Sequence, residues 1–333
     1  MQLNYIKEHD ENKYIKRVQT LDDYPPVKGW DFSQPFDFDK FINQYFNTGF
    51  QATNLKKAID TIKEMRKAGA KIFLGFTSNM VSSGLREAIC YLVKNKLVDV
   101  LATTAGGVEE DVIKSLKHFV IGNFSAPGAI LLENGINRTG NIFVPNDRYY
   151  LFEKKFVPFL EKMYDKQKEL ERPVSCEEFL HDLGKHVNHE ESILYWAYKN
   201  KIPFFCPAIT DGALGDMLYF FKKRKSDFYI DVTRDMTRIV DLAMNAEKTG
   251  LIILGGGVVK HHILNAQIFR EGCDYAVYIN TSHGFDGSDS GGSPDEAVSW
   301  CKIKPDGKSV KVTAEATLVF PLIVQAAFAP KNI

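Results

Sequence analysis

The sequence lacks the features that mark secreted, membrane-bound and nucleic-acid-binding proteins. Among its 333 residues, 42 Lys and Arg balance 42 Asp and Glu, so no net positive charge favours a nucleic acid as partner. No apolar run is long enough to cross a membrane, and the polar N-terminus has no apolar core of a signal peptide. The five cysteines are scattered without a CxxC pair, which favours buried thiols over a disulfide framework or a zinc site. We therefore expect a cytoplasmic protein without a metal, a membrane or a nucleic acid as partner.

Short apolar segments alternate with helical patterns along the chain. Segments typical of strands are 72–76, 98–102, 202–209, 251–254, 275–279 and 310–314. Because at least five of them alternate with helices, the sequence predicts an α/β fold, a doubly wound, mostly parallel sheet with helices on both faces. Residues 1–50, which are charged and aromatic, predict an N-terminal arm. Residues 51–330 predict a single domain, because no low-complexity linker divides them.

Some helices are predicted from periodicity and some from their first residues. A helical hairpin is predicted over 149–170 and one amphipathic helix over 228–248. Ser175 and Asn188 each stand three positions before a glutamate, a pattern that is typical of a helix start.

The stretch 285–302 combines an acidic, glycine-rich loop with a short apolar segment. Ser293 and Glu296 fit a capping box, so a helix is predicted to begin there and Lys302 to lie near its end. Lys302 then has two interpretations. It is either a basic residue that the helix dipole favours, or a partly desolvated amine beside Trp300 that can attack a carbonyl or an imine. Residue types alone favour the first interpretation, because ion pairs near helix ends are common.

Small and polar residues follow the predicted strands, at the position where parallel sheets bind ligands. They are Thr77-Ser78-Asn79, Thr104-Ala105-Gly106-Gly107, Asp211-Gly212, Gly255-Gly256-Gly257 and Thr281-Ser282. Backbone N–H groups at helix starts can bind a nucleotide phosphate, but tight turns also need glycine, so both interpretations stay open. The dinucleotide fingerprint itself is incomplete, because the triple-glycine segment lacks the last glycine, and this argues against a standard dehydrogenase.

Many carboxylates also follow the strands. They are Glu109, Glu110, Asp111, Asp211, Asp216, Asp286, Asp289, Asp295 and Glu296. A converging set would favour a cationic substrate, whereas each carboxylate alone is more simply a partner of a helix dipole. His261 and His262 are adjacent on a predicted helix, so only one of them can face a site as an acid or base. His186 and His189 lack the partners of a metal site, and no metal is proposed.

Several longer motifs resemble the deoxyhypusine synthase family. They occupy 77–84, 103–111, 133–138, 207–216, 254–262 and 285–302, and they follow the order and spacing of the family from about residue 24 to residue 328. The resemblance implies the family's fold and an enzyme that uses NAD and spermidine. It further implies transfer of a four-carbon aminobutyl group to one lysine of the hypusine-bearing translation initiation factor, the first step of hypusine formation.

The resemblance also implies roles for individual residues. Lys302 matches the lysine that forms an enzyme–imine intermediate, and His261 matches a histidine that assists deprotonation of the amine. The positions that match the polyamine pocket are Glu109, Glu110, Asp216, His261, Gly287, Ser288, Asp289, Glu296, Trp300 and Lys302. The positions that match the surroundings of NAD are Ser78, Asn79, Met80, Val81, Ser82, Thr104, Ala105, Gly106, Glu110, Asp211, Gly256, Thr281, Ser282, Asp286, Glu315 and Ala316.

The chain departs from the family's pattern at three places. Ser282-His283-Gly284 stands where the family usually has Ala-Gln-Glu, Cys301 replaces a glycine, and Glu315 replaces an aspartate. These departures bear on cofactor affinity rather than on the chemistry. Because family members are homotetramers with sites across a dimer interface, the resemblance implies the same assembly here. Segment 10–23 is then either an arm that covers a neighbour's site or a disordered terminus.

Three other functions compete with this interpretation. A homospermidine synthase is related in sequence and passes the same aminobutyl group to putrescine. No residue of this sequence distinguishes it from a deoxyhypusine synthase. A catalytically silent regulatory paralogue would be expected to lose the lysine, yet Lys302 is present. A sirtuin-like deacylase would need zinc-binding cysteines that this sequence does not have.

Overall fold

The computed structural model describes residues 21–330, and a six-stranded parallel sheet forms its centre. The strands of this sheet are β1 (Lys71–Phe76), β2 (Val100–Thr103), β7 (Phe204–Phe205), β9 (Thr249–Leu254), β10 (Cys273–Asn280) and β11 (Ile303–Thr313). Their order across the sheet is β11-β10-β9-β1-β2-β7. Two small sheets lie beside it and contain β3 (Val120–Ile121), β4 (Ile136–Thr139), β5 (Ile142–Pro145), β6 (Val174–Ser175) and β8 (Ile230–Asp231).

Fourteen α-helices connect and cover the strands within the described residues. They are α1 (Phe38–Thr48), α2 (Phe50–Lys67), α3 (Ser78–Ser82), α4 (Leu85–Lys94), α5 (Ala105–Leu116), α6 (Gly128–Glu133), α7 (Asp147–Glu169), α8 (Cys176–Val187), α9 (Ile193–Asn200), α10 (Gly212–Arg224), α11 (Thr233–Met244), α12 (Gly257–Ile268), α13 (Pro294–Ser299) and α14 (Ala316–Ala327). Within residues 21–330, no helix combines the length and apolar character needed to cross a membrane.

Helices lie on both faces of the central sheet, as the sequence predicted, and its inner strands are buried on both faces. In β9, Ile252 and Leu254 pack into the core on the side of α2 and α14, while Leu251 and Ile253 pack on the side of α11 and α12. This alternation follows from the two-residue period of a strand. Strands that are buried on both faces read as continuous apolar runs, which is why the doubly wound fold could be predicted.

The sheet changes direction between β1 and β9. From β1 the chain moves outward through β2 to β7, and from β9 it moves the opposite way through β10 to β11. Phe76 at the end of β1 pairs with Leu254 at the end of β9. The loops that begin at Thr77 and Gly255 therefore flank the switch point, where open α/β sheets usually bind their ligands.

The structure corrects two of the predicted helices. The hairpin over 149–170 is wrong, because α7 is one helix of 23 residues whose buried stripe includes Phe152, Phe156 and Phe159. Its charges form one solvated face and do not mark a turn. The helix over 228–248 is wrong at its start, because residues 230–231 form β8. The Asp231 carboxylate then accepts the Thr233 N–H at 2.9 Å, where α11 begins.

The two predicted helix starts have different outcomes. The start at Ser175 is confirmed, because its hydroxyl and the carboxylate of Glu178 form a complete capping box. The start at Asn188 is wrong, because Asn188 ends α8 in a left-handed conformation with φ 48°. The next helix begins after Ser192, whose hydroxyl accepts the Tyr195 N–H at 3.0 Å.

The predicted strand over 202–209 is shorter than expected. Only Phe204 and Phe205 pair with β2, and Pro203 and Pro207 stand on either side of them. Proline has no N–H to donate to a ladder, so Pro203 contributes only its carbonyl oxygen, which accepts the Leu101 N–H at 2.9 Å. At the other end of the chain, α1 packs against α2 with Ile42 buried. Residues 1–20, with most of segment 10–23, lie outside the described residues.

Candidate active site

An open cavity of about 430 Å³ lies between α12, α13 and the loop that follows β10. Its lining includes six of the ten residues that the resemblance assigns to a polyamine pocket. These six are His261, Gly287, Asp289, Glu296, Trp300 and Lys302. The structure therefore brings His261 of α12 together with residues of the stretch 285–302.

Lys302 is buried in this cavity, with 8% of its surface exposed. Its Nζ lies 5.8 Å from the centroid of the Trp300 ring. Lys302 lies just past the end of α13, close to where the sequence predicted it. The helix ends at Ser299, Cys301 turns the chain with φ 55°, and the Lys302 N–H donates to the carbonyl oxygen of Ala297 at 3.0 Å. A lysine that only complements a helix dipole would lie at the surface, so its burial against an aromatic ring is the feature that needs an explanation.

The start of α13 contains one half of the predicted capping box. Ser293 Oγ accepts the Glu296 N–H at 3.1 Å, and a proline occupies the first helical position. The Glu296 carboxylate lies beside Gly292, where a Cβ atom would be only 3.2 Å from it. Because Ser293 alone provides the cap, the Glu296 carboxylate remains in the lining of the cavity.

Asp289 has a buried carboxylate oxygen that no described residue satisfies. Its Oδ2 is shielded from solvent and accepts no hydrogen bond from residues 21–330. Such a group is costly unless a donor or a cation approaches it. Lys260 of α12 stabilises the loop that carries Asp289, because its Nζ donates to the carbonyl oxygens of Asp289 and Gly292. Lys311 donates to the carbonyl of Gly291 in the same loop at 2.8 Å.

The two adjacent histidines face different environments, as expected for neighbours on a helix. His261 lines the cavity, and its Nδ1 lies 3.1 Å from the side-chain nitrogen of Asn265. His262 is buried near the ring of Phe205 on the other side of α12. Burial lowers the pKa of His262 to about 4, with a smaller effect from His261. His261 is therefore the member of the pair that can act on a ligand.

Glu109, Glu110 and Asp216 form a second acidic cluster, and none of them lines the cavity around Lys302. The Glu109 carboxylate accepts the Leu214 N–H at 2.6 Å, so it caps the start of α10. Burial raises its pKa to about 7, against the opposing effect of the backbone N–H groups. Burial likewise raises the pKa of Glu110 to about 7, although the Ser82 hydroxyl donates to its carboxylate. Within the single chain, the predicted polyamine positions thus fall into two groups.

The predicted cofactor positions follow the carboxyl ends of all six strands of the central sheet. In the order of the sheet, Glu315 follows β11, Thr281 follows β10, Gly256 follows β9, Ser78 follows β1, Thr104 follows β2 and Asp211 follows β7. The first turns approach one another closely, because the Ser78 N–H donates to Thr104 Oγ1 at 3.1 Å. A Cβ at Gly106 would lie 2.7 Å from Ser78 Cβ, so only glycine fits there.

Sequence reasoning missed three lysines that support these loops, of which Lys114 and Lys260 are buried and Lys311 is half-buried. Lys260 and Lys311 hold the loop of Asp289, and Lys114 donates to the carbonyl oxygens at the end of α3. Each of them stands next to or close to valine or isoleucine in an apolar segment, which is the one signal that could have identified them.

The architecture defines a class, the doubly wound α/β proteins whose ligand sites lie at the carboxyl edge of a parallel sheet. Within that class, the family model for deoxyhypusine synthase matches residues 40–327. The chain therefore belongs to the deoxyhypusine synthase family, and the resemblance inferred from the motifs is confirmed.

Known relatives support this assignment over nearly the whole chain. The deoxyhypusine synthase of Arabidopsis thaliana is 49% identical, with 92% of this chain and 90% of the relative covered. The probable deoxyhypusine synthase of Pyrococcus abyssi is 52% identical, with 85% of this chain and 88% of the relative covered. A crystal structure of a provisionally assigned deoxyhypusine synthase from Entamoeba histolytica has a TM-score of 0.65 at 30% identity, covering 91% of this chain and 96% of that one.

Proposed function

We propose that this chain uses NAD to transfer the aminobutyl group of spermidine to a specific lysine of the hypusine-bearing translation initiation factor. The observation that carries the proposal is the burial of Lys302 against Trp300, in a cavity that also contains the carboxylates of Asp289 and Glu296. The amine of a lysine that lines an open cavity can act as a nucleophile towards a carbonyl or an imine once it has lost its proton. The carboxylates suit a substrate with several ammonium groups.

The residues at the carboxyl edge of the sheet fit a dinucleotide such as NAD. Gly106 and Gly256 keep the turns on both sides of the switch point free of side chains, and the space beside Gly257 is open. The residues that would hold NAD are those that follow the six strands, from Glu315 to Asp211 across the sheet. Bound NAD would accept a hydride from the carbon beside the secondary amine of spermidine and later return it.

The residues of the chain then have distinct tasks in the proposed reaction. Asp289 and Glu296 would hold ammonium groups, and the unsatisfied Asp289 oxygen would gain its missing partner. His261 would accept the proton that leaves the secondary amine. The Lys302 amine would attack the carbon of the oxidised substrate and form a C–N bond as 1,3-diaminopropane leaves. The lysine of the translation factor would displace Lys302 in the same way before the product is reduced.

The separation of the two acidic clusters supports a site that a second copy completes. Glu109, Glu110 and Asp216 lie apart from the cavity around Lys302, although the resemblance implies that all of them meet the polyamine. Phe285 and Val258 lie on segments that border the predicted site and are 89% and 44% exposed in the single chain. A homo-oligomer with the site at a dimer interface, as in the homotetramers of the family, would cover these apolar groups and exclude water.

The decisive experiment incubates the protein with NAD, spermidine labelled in its four-carbon arm, and either the translation factor or putrescine. Label in the factor is the expected result, and label found only in homospermidine would refute protein modification. Borohydride added during turnover should trap the intermediate on Lys302, which peptide mass spectrometry can identify. Lys304→Ala is a matched control, because Lys304 is two residues away and pairs with Asp274 at 2.6 Å outside the cavity.

A further inference from the structure

Lys114 is a buried lysine in α5 whose ammonium group contacts the end of another helix. Its Nζ lies 2.8 Å from the carbonyl oxygen of Val81 and 2.9 Å from that of Ser83. The carbonyl oxygen of Ser82, at 3.5 Å, completes the set. Only 8% of the residue is exposed, and burial lowers the pKa of the amine. An ammonium group in this environment is stabilised by the carbonyl oxygens it contacts, so Lys114 ties the end of α3 to α5.

The helix α3 depends on such support because it has only five residues. A helix of this length is not stable by itself, and its last carbonyl oxygens have no partner within the helix. A cation at that end satisfies them and also complements the helix dipole. Two other contacts hold the segment, one from the Ser82 hydroxyl to Glu110 and one from the Ser78 N–H to Thr104 Oγ1.

The same segment, 78–82, is where the proposed function requires NAD. Glu110 and Lys114 stand one turn apart on α5, so one helix supplies both contacts that fix the end of the segment. We propose that Lys114 is a positioning residue that holds segment 78–82 in the conformation that binds the cofactor. This role rests on the proposed function. Lys114 is proposed to act through this segment and not by touching the cofactor, because its ammonium group already donates to the backbone carbonyl oxygens of Val81 and Ser83.

The test uses the full-length protein and three variants. Lys114→Met keeps most of the side chain and removes the charge, whereas Lys114→Arg keeps a charged donor. Lys117→Met is the matched control, because Lys117 ends the same helix in an exposed pair with Asp147 at 2.7 Å. We expect Lys114→Met to weaken NAD binding, measured without spermidine, at least tenfold, with partial recovery in Lys114→Arg. The rate of NADH formation at saturating NAD and the KM for spermidine should change less than threefold.

Other outcomes separate this role from the proposed function. Unchanged NAD affinity in folded Lys114→Met would overturn the positioning role. An equal loss of NAD affinity and of the rate of NADH formation at saturating NAD would also overturn it, because a purely structural residue would give that result. If Lys114→Met does not fold, Lys114→Arg decides. In that case, hydrogen exchange at amides 78–83 must increase together with the dissociation constant for NAD, and either change alone contradicts the role. A wild-type protein that forms no NADH from spermidine would refute the proposed function itself and the positioning role with it.

Discussion

Replacing Glu110 by glutamine should make the protein more stable at alkaline pH. Burial raises the pKa of Glu110 from 4.5 to about 7 in the folded state. Because the folded state binds the proton more tightly than the unfolded state, the wild type loses stability as the pH rises from about 4.5 to about 7. Between pH 5 and pH 8 these two pKa values correspond to about 2–3 kcal/mol of lost stability. Glutamine has no charge to bury and can still accept the hydrogen bond from Ser82.

Urea unfolding at pH 5 and pH 8, at one protein concentration, measures this difference. At each pH, the gain is the free energy of unfolding of Glu110→Gln minus that of the wild type. This gain should be about 2–3 kcal/mol larger at pH 8 than at pH 5. Glu153→Gln is the control, because Glu153 is an exposed residue of α7 and should give the same difference at both pH values. A Glu110→Gln variant whose gain does not depend on pH would show that the carboxylate is not buried in the folded protein.

Three further changes test the cavity and its approach. Lys302→Ala should abolish transfer to the translation factor while NADH formation persists weakly, and full transfer measured with labelled spermidine would contradict the role of the lysine. Asp289→Asn should raise the KM for spermidine roughly tenfold in a steady-state assay, because one charge-assisted hydrogen bond is lost, and an unchanged KM would remove Asp289 from the pocket. Cys301→Gly should raise the free energy of unfolding in urea by up to about 1 kcal/mol, because φ 55° is strained for cysteine; a loss of stability would contradict this.

The fold could be predicted because each inner strand of the parallel sheet is a continuous apolar run in the sequence. Residues 251–254 are apolar at every position and β9 is buried at every position, so no period had to be recognised. The weaker predictions concerned elements whose limits depend on distant contacts. Asn188 has the residue type of a helix start, but its left-handed conformation ends a helix that packs against α9. Residues 149–170 are charged enough to suggest a turn, and only packing of the buried stripe shows that one helix continues.

The site was predictable where its residues form one continuous motif and less so where they support one another across the chain. Lys302 and Glu296 belong to the stretch 285–302 and could be recognised together. Lys114, in contrast, contacts a carbonyl oxygen 33 residues away, and no local pattern encodes such a contact. The same limit applies to Asp289, because the absence of a partner for its buried oxygen depends on everything that surrounds the loop.

The helix α5 contacts both the helix that carries Asp216 and the segment 78–82 at the switch point. Glu109 caps the helix that carries Asp216, while Glu110 and Lys114 hold the segment beside the switch point. An ionised Glu110 carboxylate destabilises the folded chain above neutral pH because it is buried, yet the carboxylate must be ionised to form an ion pair with an ammonium group. Under the proposed function, an ammonium group of the substrate would offset this cost. A buried carboxylate that costs stability in this way is what we expect at a binding site, and not in a chain selected for stability alone.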